Sequence, residues 1–155
     1  MLSPEERADL DRELADGFPT ARSKSIDALK ILQRHRRWVS DEALVDLEAY
    51  LGLSRAELDN VATFYNLIFR QPVGRHVILL CDSVSCWICG YEGILEALRE
   101  RLGIGLGETT PDDRFTLLPM ACLGCCDGAP ALMIDEDLHR DLRPEGLDEL
   151  LEAYP

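Results

Sequence analysis

Hydrophobic and polar residues alternate in two different ways along this chain. Up to about residue 70 the apolar positions recur at helical spacing. Ser3-Pro4-Glu5-Glu6 is a capping box with proline at the first helical position, so a helix begins there. Ile26, Leu29 and Leu32 form one stripe of a second helix over residues 25–36. Ser40 caps a third, in which Ala43, Leu44, Leu47 and Leu51 face inward and which Gly52 ends. Ser54-Arg55-Ala56-Glu57 repeats the capping-box pattern and opens a fourth helix reaching about Phe64. The short connections predict antiparallel neighbours in a bundle.

After Gln71-Pro72-Val73-Gly74 the texture changes. Residues 76–81 (HVILLC) are an apolar run of strand length, and residues 91–102 carry Ile94, Leu95, Leu98 and Leu102 at helical spacing. Residues 115–120 (FTLLPM) and 131–134 (ALMI) read as strands. Asp135-Glu136-Asp137 reads as a hairpin turn into residues 138–140. Pro144 begins a last helix bearing Leu147, Leu150, Leu151 and Tyr154. The order strand, helix, strand, strand, strand, helix predicts a thioredoxin-like layer. The expected fold class is therefore α+β: an N-terminal helical bundle over residues 1–72, then a thioredoxin-like α/β domain over residues 73–155.

Charge narrows the function classes. The formal net charge is −13, which argues against a nucleic-acid partner, because phosphate binding needs a basic face. The imbalance is concentrated in the second half, where residues 73–155 hold 6 Lys/Arg against 16 Asp/Glu. Such a surface keeps a chain soluble or complements a basic partner. The first residues carry Glu5, Glu6, Asp9, Asp11 and Glu13 and show no secretion signal. The longest purely apolar run, residues 77–81, is far short of the ~20 residues of a membrane span. A cytoplasmic location without direct membrane insertion is expected. In a reducing compartment, grouped cysteines read as metal ligands or redox groups before they read as disulfides.

All six cysteines lie in two groups, Cys81, Cys86 and Cys89, then Cys122, Cys125 and Cys126. Both groups follow predicted strands, where binding loops gather in open α/β layers. Three readings fit the spacing. Cys81 and Cys86 with Cys122 and Cys126 give four thiolates on two loops, the number a [2Fe–2S] cluster takes. Cys86 and Cys89 with Cys122 and Cys125 form two Cys-x2-Cys knuckles of the kind zinc favours, although the gap between them is longer than in typical zinc ribbons. Cys86-Trp87-Ile88-Cys89 alone occupies the place of a thioredoxin-type dithiol. His35, His76 and His139 are scattered, so histidine ligation is not indicated. Spacing alone leaves the three readings open.

The surrounding residues carry a resemblance. NVATFYNLIFRQPVGRHV at residues 60–77, CDSVSC at 81–86, GYEGI at 90–94, RFTLLPMACLGCCDGAP at 114–130 and MIDED at 133–137 occur in order. With these strings the chain resembles the thioredoxin-like [2Fe–2S] subunits of respiratory complex I, the E subunits of bacterial NADH:quinone oxidoreductase, over roughly 130 residues. The resemblance implies Cys81, Cys86, Cys122 and Cys126 as cluster ligands. It leaves Cys89 and Cys125 as non-ligating thiols, expected to pack near the site. It further implies an electron-transfer subunit without a complete active site. FMN and NADH would bind an adjacent flavoprotein subunit, a second iron–sulfur subunit would lie nearby, and the membrane would be reached only through the complex. NAD-linked hydrogenases and formate dehydrogenases use similar subunits and are the alternative.

Around such a cluster, Gly124 and Gly128 are expected to let the backbone approach sulfur, Ser83 and Ser85 either to offer hydroxyl donors or to stand as solvated loop residues, and the helix after Cys86 to aim its N-terminus at the thiolates. Asp82 and Asp127 would lower the potential if close and charged. No dinucleotide or phosphate loop is present: Gly103-x-Gly105-x-Gly107 has the wrong spacing and follows a helix. Trp38, Phe64, Tyr65 and Phe69 are expected in the helical core, or else against a partner. Pro130 stands where thioredoxin folds carry a cis proline.

Overall fold

The computed structural model describes residues 1–15 and 20–155. They divide into two compact units, Met1–Pro72 and Val73–Pro155.

The first unit contains four helices: α1 (Pro4–Glu13), α2 (Ala21–Arg36), α3 (Asp41–Leu51) and α4 (Arg55–Phe64). Ser3 and Glu6 form the expected reciprocal box at α1, and Ser54 and Glu57 form the other at α4. Helix α2 starts earlier than the apolar stripe suggests, because Thr20 and Ser23 make a capping box with serine in place of the usual acidic residue. Leu10, Leu14, Leu29, Leu32, Leu44 and Leu47 are buried in one core. Two polar ties hold the helices from outside. Arg36 forks onto Glu6 at 2.6 and 2.9 Å and reaches Asp46 at 2.7 Å, linking α1, α2 and α3. Arg70 pairs with Asp59 at 2.9 Å and Asp41 at 2.6 Å, fastening the segment after α4 back onto the bundle.

Phe64 is 80% exposed and Tyr65 42% exposed, while Trp38 and Phe69 are half-buried. The expectation of an aromatic core therefore fails for Phe64 and Tyr65. Leucines already fill the space between four short helices, and these two rings stand at the very end of α4.

The second unit is a five-stranded mixed sheet in the order β2-β3-β1-β4-β5, with β1 (His76–Cys81), β2 (Glu108–Thr109), β3 (Phe115–Met120), β4 (Leu132–Ile134) and β5 (Asp137–His139). Strand β1 is central, parallel to β3 and antiparallel to β4. Helices α5 (Val84–Ile88) and α6 (Tyr91–Leu102) connect β1 to β2, and α7 (Leu147–Glu152) follows a 3-10 turn at Pro144–Gly146. The core joins Ile78 and Leu80 of β1, Phe115 and Leu117 of β3, Leu132 and Ile134 of β4, Ile94 and Leu98 of α6, and Leu147 of α7. Strands buried on both faces read as continuous apolar runs, which is why β1 is conspicuous in the sequence.

Pro119 is tolerated inside β3 because β2 pairs only with Thr116 and Leu117, leaving the edge beside Pro119 free of a ladder. Asp135 takes a left-handed conformation (φ 54°) in the β4–β5 turn. It accepts a hydrogen bond from the Val77 amide at 2.9 Å and meets His76 Nδ1 at 2.7 Å, tying the hairpin to β1. The two short elements, α5 and β2, carry no periodic signal and are the parts of the order that the hydrophobic pattern omits.

Candidate metal centre

Parallel pairing of β1 with β3 carries the two cysteine loops to one end of the sheet. Cys81 is the last residue of β1 and lies across the ladder from Met120, the last residue of β3. The Asp82 amide then donates to the Met120 carbonyl at 2.9 Å, so the strands part only where the two loops begin. Cys86 sits one helical turn along the first loop, and Cys122 two residues along the second.

The β3–β4 loop folds back on the same end. Residues Cys126–Gly128 make a 3-10 turn, the Ala129–Pro130 peptide is cis, and the Ala131 carbonyl accepts from the Cys81 amide at 3.1 Å. The backbone of Ala131 also hydrogen-bonds to Cys86. One residue thus serves both thiol positions of the first motif.

Cys81, Cys86 and Cys125 are buried and share a small apolar cluster with Ala131, packed by Leu123 and Ala129. Cys89, Cys122 and Cys126 are exposed. Of the four positions carried over from the family motif, the structure therefore brings Cys81 and Cys86 into contact and holds Cys122 and Cys126 at the solvent side of the facing loop. The expectation that Cys125 packs near the site agrees with its burial. Cys89 differs: it caps the end of α5 and points to solvent.

The Cys86 thiol is pushed up to about 11, first by burial and then by its hydrogen bond with Cys81, with the Ala131 backbone pulling the other way. Burial likewise raises Cys125. Apolar burial of this kind disfavours a lone thiolate, whereas a thioredoxin-type nucleophile needs its thiolate favoured. The raised Cys86 thiol lends the dithiol reading of Cys86 and Cys89 no support. For metal the same burial is productive, because a cation supplies the charge that the apolar pocket lacks.

The expected helix after Cys86 is α6, while Cys86 itself lies inside the additional five-residue helix α5, which has no side-chain cap from Ser83. Its backbone bonds run from the Trp87 amide to the Ser83 carbonyl and from the Cys89 amide to the Ser85 carbonyl. The glycines also divide their work. Gly124, at φ 75°, donates its amide to Cys122 Sγ at 3.3 Å, as a sulfur-facing loop requires. Gly128 instead makes room for a side chain, that of Arg140.

Among the described residues, no three or more His, Cys, Asp or Glu side chains gather as a single ion would require. An iron–sulfide rhomb asks for two thiolates at each iron. The two loops at this end of the sheet carry three thiols each, and Cys122 Sγ accepts an amide hydrogen bond, a donor chemistry that fits such a group.

Comparison with known proteins bears on the same residues. The family model described as thioredoxin-like [2Fe-2S] ferredoxin matches residues 12–155. The chain is 52% identical to the E subunit of the NADH-quinone oxidoreductase of Pseudomonas aeruginosa over 154 residues, covering 99% of this chain and 92% of that protein. It is equally 52% identical to the protein of the same name from Escherichia coli K12 over 153 residues, again with 99% and 92% covered. Among solved structures, an NAD+-reducing [NiFe]-hydrogenase in the H2-reduced state superposes with a TM-score of 0.75 at 28% identity. That match covers 88% of this chain and 23% of the hydrogenase chain, so this protein spans about a quarter of it. Fold, paired cysteine loops and a family match through both cysteine motifs agree: the chain belongs to the thioredoxin-like [2Fe-2S] ferredoxin family.

Proposed function

We propose that this protein is the electron-transfer subunit of an NADH:quinone oxidoreductase, holding one [2Fe–2S] cluster on Cys81, Cys86, Cys122 and Cys126. The carrying observation is the 52% identity to E subunits of that complex over 99% of the chain. The shared strand end that unites the two cysteine loops supports the ligand set.

When bound, the cluster supplies a one-electron redox site. The chain's own residues do the rest. Cys81 and Cys86, which are buried, and Cys122 and Cys126, which are exposed, would hold the cluster. Gly124 offers its amide to Cys122 Sγ, and Leu123, Ala129 and Ala131 keep water from the buried thiols. NADH and FMN belong on a flavoprotein subunit. With the cluster bound, this chain would serve as an electron carrier or store beside that flavin, next to a neighbouring iron–sulfur subunit.

Exposed apolar side chains on α5 suit a docking role: Val84 at 67%, Trp87 at 58% and Ile88 at 73% exposure flank Cys86 in sequence. A partner covering them would bring its own redox centre toward the thiols. No described helix is long and apolar enough to cross a membrane; attachment on the inner face of the cell membrane would be peripheral, through the complex. The helical unit (residues 1–72) and the cluster unit (residues 73–155) are read as two domains. Proteolytic nicking near Pro72 that leaves the colour with the C-terminal fragment tests this division.

A second reading places the same chain in an NAD-linked hydrogenase, and its support is the TM-score of 0.75 to such an enzyme. The partner that co-purifies from the native host separates the two. The cluster itself is tested by anaerobic reconstitution and analysis for iron, sulfide and zinc. About two iron and two sulfide per chain are expected. One zinc and no sulfide would falsify the assignment.

A further inference from the structure

Asp127 follows Cys126 directly, and its charge alone would bias the site toward lower potential. The structure gives it a partner. Arg140, just past β5, places Nη2 2.5 Å from Asp127 Oδ2. The space for this guanidinium exists because residue 128 has no side chain. A Cβ there would collide with Arg140 Nε and stand 2.8 Å from Nη2. The backbone closes the same arrangement: the Asp141 amide donates to the Gly128 carbonyl at 2.7 Å, the Leu142 amide to the Pro130 carbonyl at 3.1 Å, and the Gly128 amide to the Cys125 carbonyl at 3.0 Å. The residues after β5 are thereby strapped along the loop that carries Cys125 and Cys126.

We infer that Arg140, seated over Gly128 and paired with Asp127, is a positioning and charge-balancing residue that sets the reduction potential of the site. The inference rests on the cluster reading above. Reduction adds one negative charge beside Cys126, so any uncompensated charge nearby changes the free energy of that step. With the pair intact the two local charges offset one another. Removing Arg140 leaves Asp127 uncompensated and disfavours the reduced state. Removing Asp127 leaves Arg140 uncompensated and favours it. Both side chains reach solvent, at 41% and 81% exposure, so salt screens the effect and the fold does not depend on the pair.

The test is a redox titration of the reconstituted full-length protein at low ionic strength, monitored by the EPR signal of the reduced cluster, with iron and sulfide measured for every sample. Arg140→Gln is expected to shift the midpoint down and Asp127→Asn to shift it up. The double variant should return close to the starting value, and Arg140→Lys should stay near it. Gly128→Ala supplies an independent arm: its methyl group displaces the flexible guanidinium without removing any charge, and the midpoint should move in the direction of Arg140→Gln. Equal midpoints across the single variants, shifts of the same sign, or a double variant displaced as far as a single one overturn the inference. A wild-type chain that takes up no iron and sulfide overturns instead the cluster reading on which it stands.

Discussion

The Cys81 amide donates its hydrogen to the Ala131 carbonyl at 3.1 Å. This contact joins the end of the central strand to a residue five positions beyond Cys126. It extends the β1–β4 pairing, which ends at Leu80 and Leu132, by one further rung. Strand β1 is thus bonded on both sides at the point where its cysteine emerges, by β3 and by the return of the second cysteine loop.

The proposed ligand set gives the six thiols different expected roles. Serine at Cys81, Cys86, Cys122 or Cys126 is expected to reduce iron uptake on reconstitution by half or more and to bleach the visible absorption. Serine at Cys89 should change neither. Serine at Cys125 should retain the cluster at a modest cost in stability, about 1–2 kcal/mol, because a hydroxyl replaces a buried thiol. Iron-to-protein ratios and EPR spectra of the six variants measure this directly.

Docking is expected to depend on α5. Trp87→Asp places a charge within the exposed apolar face beside Cys86 and should weaken association with the flavoprotein subunit by at least tenfold, in the range of a large aromatic contact. Iron content of the free chain should stay unchanged. Titration calorimetry or co-purification reads the first effect, and chemical analysis the second.

The helical unit has its own acid sensitivity. The Arg36 fork holds Glu6 at about 2, well below its ordinary 4.5, against the opposing effect of burial. A carboxyl depressed on folding stabilises above its unfolded value and loses that contribution as pH falls toward its folded one. Unfolding of residues 1–72 should therefore become easier between about pH 4.5 and 2, by on the order of 3 kcal/mol. Glu6→Gln should weaken this dependence, leaving the part carried by the other depressed carboxyls such as Glu57, and lower stability at neutral pH. Denaturant midpoints followed by far-UV circular dichroism across that range provide the check.

Packing beneath the thiols should matter as much as the thiols. Leu80 is fully buried in β1, one residue before Cys81. Leu80→Ala should destabilise the second unit by about 2–5 kcal/mol, seen as a lower thermal midpoint and faster loss of colour on heating.

Much of this was legible in the residues. The capping boxes at Ser3 and Ser54 mark helix starts correctly, since they are local hydrogen-bond patterns. Residues 76–81 and 115–120 declare themselves as strands because both are buried by their neighbours. Helix α5 and strand β2 did not, being too short for any period, and α2 began early because Ser23 replaced the acidic partner of a capping box. Aromatic residues misled at Phe64 and Tyr65, where hydrophobicity alone cannot tell a core ring from one left for a partner. The family strings singled out four cysteines, but which thiols lie buried depends on long-range pairing, and nothing in the local text announces that Arg140 reaches Asp127.

The central position of β1 also governs when iron can be received. Its cysteine emerges from the ribosome well before β3 and β4, yet the pocket behind Cys81 and Cys86 is closed by Ala131. A nascent chain that has produced only the first motif presents bare thiols without a cradle. Truncations ending before Leu132 should therefore emerge unmetallated.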